Sequence, residues 1–233
     1  MAVCCFAIFA SGMLLSAILF GSSSQKNTID SARWDFASTE SARFIEEQMP
    51  GVQQFTDRFA LLKYALCQMA LQSGLTAEFG VFQGESINYI ASVLPGRTIH
   101  GFDSFEGNPE DSKDFLNWKK GTFDLGGKLP KVRANVILHK GWFDKSVPEF
   151  ARKNPGPMAF MHMDADLYSS TKSVFDTLAD RIAPGTVIVF DEFFNYPGWK
   201  RGESKAFAEM IAARGLKFEY LGYSDQQVAV KIL

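Results

Sequence analysis

Five short apolar runs, LTAEFG, TIHGFD, ANVILHKG, PMAFMHMD and GTVIVFDE, follow one another from Leu75 to Glu192, and most end in an acid or a glycine. Each has strand length and strand composition. Helical segments separate several of them: ESINYIASVL, KSVPEFARK and STKSVFDTLADRI, with SKAFAEMIAARG after the last. Strand and helix in alternation predict βαβ units and a mainly parallel sheet. The chain ends in KFEYLGYSDQQVAVKIL, two strand-like runs around a YSDQ turn, which predicts an antiparallel hairpin. Upstream, TESARFIEEQM predicts a helix opening at Thr39, and FTDRFALLKYALCQMALQSG predicts a second one ending at Gly74.

An open parallel sheet binds ligands beyond the carboxyl ends of its strands, so the residues just after each apolar run are the candidates for chemistry. AEFGVFQGES places Gly80 and Gly84 at a strand-to-helix turn, where a backbone without Cβ lets a ligand approach and helix-start amides can bind an anion. IHGFDSFEG ends the next strand at Asp103, a position from which an acid can bind ribose hydroxyls. MHMDADLYSS breaks a buried run at Asp164 and Asp166, which an extended chain would point the same way. VIVFDEFF adds Asp191 and Glu192 at another strand end. Converging carboxylates repel one another unless a cation lies among them, and a hard divalent ion suits oxygen ligands. Glu106–Lys131 is polar, turn-rich and too long for an ordinary connection, as a substrate loop would be.

The composition narrows the field. With 24 Lys+Arg against 26 Asp+Glu, the chain has no basic surface for nucleic acid. Cys4, Cys5 and Cys67 make no disulfide framework; Cys67 is expected as a buried core thiol, in a reducing compartment. Ala2–Phe20 is apolar, and no charge occurs before Lys26. Residues 1–25 therefore read as a segment apart from a single domain over 30–233. They are open to three readings: an N-terminal membrane anchor on a cytoplasmic domain, a cleaved signal, or a misassigned start.

Taken together, AEFGVFQGES, GFDSFEGNPE, GWFDKSVP, MDADLYSSTKSVFDTL, PGTVIVFDEF and YPGWKRGESKAF resemble the macrocin O-methyltransferase (TylF/MycF-type) family of class I S-adenosylmethionine (SAM)-dependent methyltransferases. The resemblance spans roughly Phe55 to Phe207. It implies an α/β, Rossmann-like fold with a mainly parallel seven-stranded sheet, a C-terminal antiparallel hairpin and helices on both faces. It also implies methyl transfer from SAM to a hydroxyl of a sugar, polyol or similar small-molecule acceptor, with Mg²⁺ or another divalent cation bound, and it is compatible with a homo-oligomer. Carried over by position, the metal ligands would be Asp164, Asp191 and Glu192, and the general base Asp166. SAM would be held by Glu78, Gly80, Val81, Phe82, Gly84 and Ser86, by Asp103 and Ser104, and by the Gly141, Trp142, Phe143 turn. The family more often has two aspartates where this chain has Asp191-Glu192. Two rival readings are a metal-dependent glycosyltransferase using D-A-D as a D-x-D motif, and a catalytically silent SAM-binding module.

Overall fold

A computed structural model describes residues 28–71, 73–112 and 118–233. Residues 1–25, with their alternative readings, lie outside the described residues. Among the described residues no helix is long and apolar enough to cross a membrane.

All five predicted strands form, as β2 (Leu75–Phe79), β3 (Ile99–Asp103), β4 (Val136–Lys140), β5 (Met158–Met163) and β6 (Val187–Phe190). The C-terminal hairpin is β7 (Phe218–Ser224) and β8 (Gln227–Ile232), and a two-residue strand, β1 (Gln53–Gln54), adds to the edge. The order is β1-β7-β8-β6-β5-β2-β3-β4. Pairing is parallel except where β8 meets β6 and β7. All six side chains of β5 are buried, as expected of a central strand covered on both faces.

Two separate cores flank the sheet. Helices α4 (Phe143–Lys153), α5 (Tyr168–Leu178) and α6 (Glu203–Arg214) cover one face, with α1 (Thr28–Gln48), through Val147, Phe175, Phe207 and Ala37. Helices α2 (Arg58–Cys67) and α3 (Glu85–Val93) cover the other through Leu61, Leu66, Ile87 and Ile90.

Three local expectations are corrected. Helix α1 begins eleven residues before Thr39, whose hydroxyl bonds back to the Asp35 carbonyl at 2.9 Å instead of capping. Helix α2 stops at Cys67, because the chain must then reach the amino end of the interior strand β2, where Leu75 N–H donates to Pro157 O at 2.8 Å. Cys67 is exposed, since α2 buries Leu61, Leu62, Ala65 and Leu66 and the next position turns off that stripe.

Candidate active site

The strand order reverses direction between β2 and β5, and a cavity of about 770 Å³ opens beyond their carboxyl ends. Register builds it. Met163 pairs with Phe79 on one side and Phe190 on the other, so Gly80, Asp164 and Asp191 emerge together one step later.

The β2–α3 turn is held by Asp103. Its Oδ2 accepts the N–H groups of Val81 and Phe82 at 2.9 and 2.8 Å, and its Oδ1 accepts that of Phe105 at 2.7 Å. The predicted ribose acid is thus also the clamp between two strand ends. Gly141 N–H donates to the Asp103 carbonyl at 2.9 Å, and the Ser146 hydroxyl caps Gly141 and Trp142 from inside α4. Gly80, Phe82, Asp103, Ser104, Gly141, Trp142 and Phe143 all line the cavity.

Four residues expected to hold the cofactor, Glu78, Val81, Gly84 and Ser86, do not form part of the cavity wall. Val81 is buried in the second core, and Gly84 caps α3 with a left-handed backbone. Glu78 is fully buried behind the cavity wall, where its Oε1 accepts the Ser86 hydroxyl at 3.1 Å and its Oε2 lies 2.9 Å from His162 Nδ1. Glu78 and Ser86 therefore brace the turn from below. Burial pushes the Glu78 carboxyl up.

The acids converge, but not by the expected alternation. Strand β5 ends at Met163, and Asp166 has a left-handed backbone, φ 57°, so it reaches the cavity from a turn. The i, i+2 pair that does share a side is His162 and Asp164. Ligand atoms of His162, Asp164 and Asp191 all lie within 4.8 Å of one another. Glu192 lines the cavity but falls outside that triplet, because it follows Asp191 directly and its backbone is drawn toward α6. His162 had a visible signal, two positions before Asp164. Asp191 is oriented by Gln227 Nε2 at 3.3 Å and lies 3.9 Å from Arg58 Nη1. Burial, and then Asp191, Asp166, Glu192 and Glu78, push the Asp164 carboxyl well above the usual aspartate range. A half-buried cluster so charged fits a cation, with Asp164, Asp191 and His162 as the donors.

Glu203, a residue that no spacing argument singled out, sits fully buried beneath this cluster. Its two oxygens accept Ala165 N–H at 3.2 Å and Glu192 N–H at 3.3 Å, fixing both acid-bearing loops to α6. Burial raises its carboxyl from 4.5 to about 8, against the pull of those two bonds. The folded protein therefore holds a proton that the unfolded chain releases between those values. Its stability contribution is complete below the lower value and is lost as pH rises through the upper one. Melting of the metal-free protein should fall across this window by more than in Glu203→Gln. Equal slopes for the two proteins would remove Glu203 as the source.

The expected substrate segments differ in kind. Within 106–131, Glu106 bridges to Asp124, and Gly107, Asn108, Pro109, Glu110, Lys120 and Phe123 form part of the cavity wall. By contrast, the FFNYPGWKRG stretch after β6, a second segment on which acceptor identity was expected to depend, is packed: Phe193, Phe194, Tyr196 and Trp199 are buried, and ring contacts join Phe44 to Phe193, Phe194 and Trp199.

A family model described as a methyltransferase domain matches residues 77–193. The 8-demethyl-8-(2,3-dimethoxy-alpha-L-rhamnosyl)-tetracenomycin-C 4'-O-methyltransferase of Streptomyces olivaceus is 30% identical over 143 residues, 52% of this chain and 53% of that protein. The mycinamicin III 3''-O-methyltransferase of Micromonospora griseorubida is 25% identical over 152 residues, 54% and 59% of the two chains. The chain thus matches little more than half the length of either relative. The crystal structure of CalS11, a calicheamicin methyltransferase, superposes with a TM-score of 0.61 at 21% identity, covering 97% of this chain and 99% of that one. At that identity the likeness concerns the fold.

Proposed function

Because the chain belongs to the methyltransferase-domain family, we propose that it is a SAM-dependent, divalent-metal-assisted O-methyltransferase acting on a hydroxyl of a sugar, polyol or similar acceptor. One observation carries this reading. The glycine turn at Gly80 and the acids Asp164 and Asp191 open into one cavity at the switch point of the sheet. The relative named for O-methylation of a rhamnosyl compound supports the acceptor class, and the second is also named as an O-methyltransferase. The domain would run from residue 30 to the end of the sequence. The glycosyltransferase reading has no support in the family match.

SAM supplies an electrophilic methyl group on a sulfonium, and a divalent ion supplies Lewis acidity that lowers the pKa of a bound hydroxyl. The protein's own groups do the rest. Gly80, Phe82, Asp103 and Ser104, with Gly141, Trp142 and Phe143, would hold the cofactor. Among the described residues, seven carboxylates but only two basic side chains, Arg58 and Lys120, line the cavity, a field that favours a cationic cofactor. Asp164, Asp191 and His162 would hold the ion, with Glu192 beside them. An imidazole in that set admits first-row transition ions as well as Mg²⁺. Asp166 would accept the acceptor's proton, its left-handed turn aiming the carboxylate into the cavity.

Isothermal titration with S-adenosylhomocysteine, with and without Mg²⁺, tests the reading. Micromolar binding is expected, weakened about tenfold or more by Asp103→Ala, since each lost hydrogen bond to a charged group is worth roughly 1.5–3 kcal/mol. Absence of binding in every condition would remove the methyltransferase assignment.

A further inference from the structure

We propose, resting on the methyltransferase reading, that Asn108 is a specificity-determining residue for the acceptor: its side-chain amide donates a hydrogen bond to an oxygen of a polyhydroxylated molecule in the cavity. Asn108 lies in the segment after β3 and is only 8% exposed, yet it forms part of the cavity wall. Its Nδ2 is buried and has no hydrogen-bond partner among the described residues. A buried amide donor left unpaired is costly, and a native protein retains one where a ligand or ordered water completes it.

The main chain that carries this amide is anchored by backbone bonds. Asn108 N–H donates to Thr122 O and its carbonyl accepts Gly121 N–H, both at 2.9 Å. The preceding Gly107 has φ +74°, and a Cβ there would lie 2.5 Å from the Thr122 carbonyl, so the two backbones pack at closest approach. Two residues later, the Glu110 carboxylate accepts the Ser169 hydroxyl at 2.6 Å and ties the segment to α5. With the segment held in place, the buried Asn108 side chain stays at the cavity wall.

The chemistry of the surroundings selects the ligand. The cavity is rich in carboxylates, which accept hydrogen bonds and do not donate them when ionised. A hydroxyl donates as well as accepts. A vicinal diol or glycoside can donate to the acids and still needs a donor for its own oxygens, and the Asn108 amide supplies one. An anionic acceptor would instead be repelled by the acids. The cofactor also carries oxygens and ring nitrogens that could accept from this amide, so the test separates the two.

Full-length wild type, Asn108→Asp and Asn108→Ala are titrated with S-adenosylhomocysteine. The saturated proteins are then titrated with methyl α-L-rhamnopyranoside in the presence of Mg²⁺. Asn108→Asp preserves shape and replaces the donor by an acceptor, and melting temperatures report folding of all three. The expected result is unchanged S-adenosylhomocysteine affinity with rhamnoside affinity about tenfold weaker in both variants, the effect of one lost hydrogen bond. Loss of S-adenosylhomocysteine affinity with rhamnoside binding intact would assign the amide to the cofactor and overturn the proposal. No change in either would make Asn108 a loop residue only. Wild type that binds S-adenosylhomocysteine but not the rhamnoside would overturn the polyol acceptor. Failure to bind S-adenosylhomocysteine would instead remove the methyltransferase reading beneath it.

Discussion

Gly80→Ala should weaken cofactor binding by up to about a hundredfold and destabilise the fold. Gly80 has φ +98°, and a Cβ on it would lie 1.6 Å from the Asp164 carbonyl oxygen and 2.7 Å from that residue's carbonyl carbon. Both neighbours are backbone, so no rotamer change relieves the clash. The left-handed conformation adds about 1–2 kcal/mol for an L-residue, and overpacking typically adds 1–3 kcal/mol more. Either the β2–α3 turn or the Asp164 loop must move, and the turn is stitched to Asp103 by two amides. A total near 3 kcal/mol corresponds to an affinity loss of about a hundredfold if it falls on the bound geometry. Titration with S-adenosylhomocysteine and thermal melting measure the two parts. Gly96→Ala, whose Cβ would meet nothing within 4 Å, should change neither. A Gly80→Ala protein that binds like wild type would show that the turn does not form the site.

The strands and the edge of the sheet at which the cavity opens could be read from sequence because both depend on local signals. Apolar runs that end in acids or glycines mark strand ends, and parallel pairing places strand ends at one edge. The interior of the site needed contacts that local sequence does not encode. Glu203 is 39 residues from Asp164 in sequence and touches its loop only because α6 packs beneath the β5 and β6 ends. Asp103 is recognisable as a strand-end acid, but its three amide partners come from two turns and can be counted only in the folded chain. The FFNYPGWKRG stretch is a different case. Its four large aromatics, Phe193, Phe194, Tyr196 and Trp199, are a local signal for burial, and all four are buried.

Asp164→Asn should leave the metal-free protein more stable than wild type while removing its metal response and its activity. Asp164 is the most crowded acid of the cluster: burial and four neighbouring carboxylates all disfavour its charge. Its folded-state carboxyl is raised well above the ordinary 3.8, so Asp164 costs the folded protein stability as pH rises above that value, and the cost is relieved as pH falls. Asparagine keeps the shape and removes the charge. Even 1 kcal/mol gained would raise the melting temperature by about 2–4 °C in a chain of this size. The same substitution deletes a ligand from the His162, Asp164, Asp191 triplet. Wild type at a Mg²⁺ concentration a hundred times its dissociation constant should gain about 2.7 kcal/mol, and the variant should gain almost nothing. Loss of Lewis-acid assistance worth several kcal/mol predicts a fall in methyl transfer of about a thousandfold. The two signs make the test sharp. A variant less stable than wild type without metal would mean that another positive group already balances Asp164. Arg58, 3.9 Å from Asp191, would then be the residue to remove next.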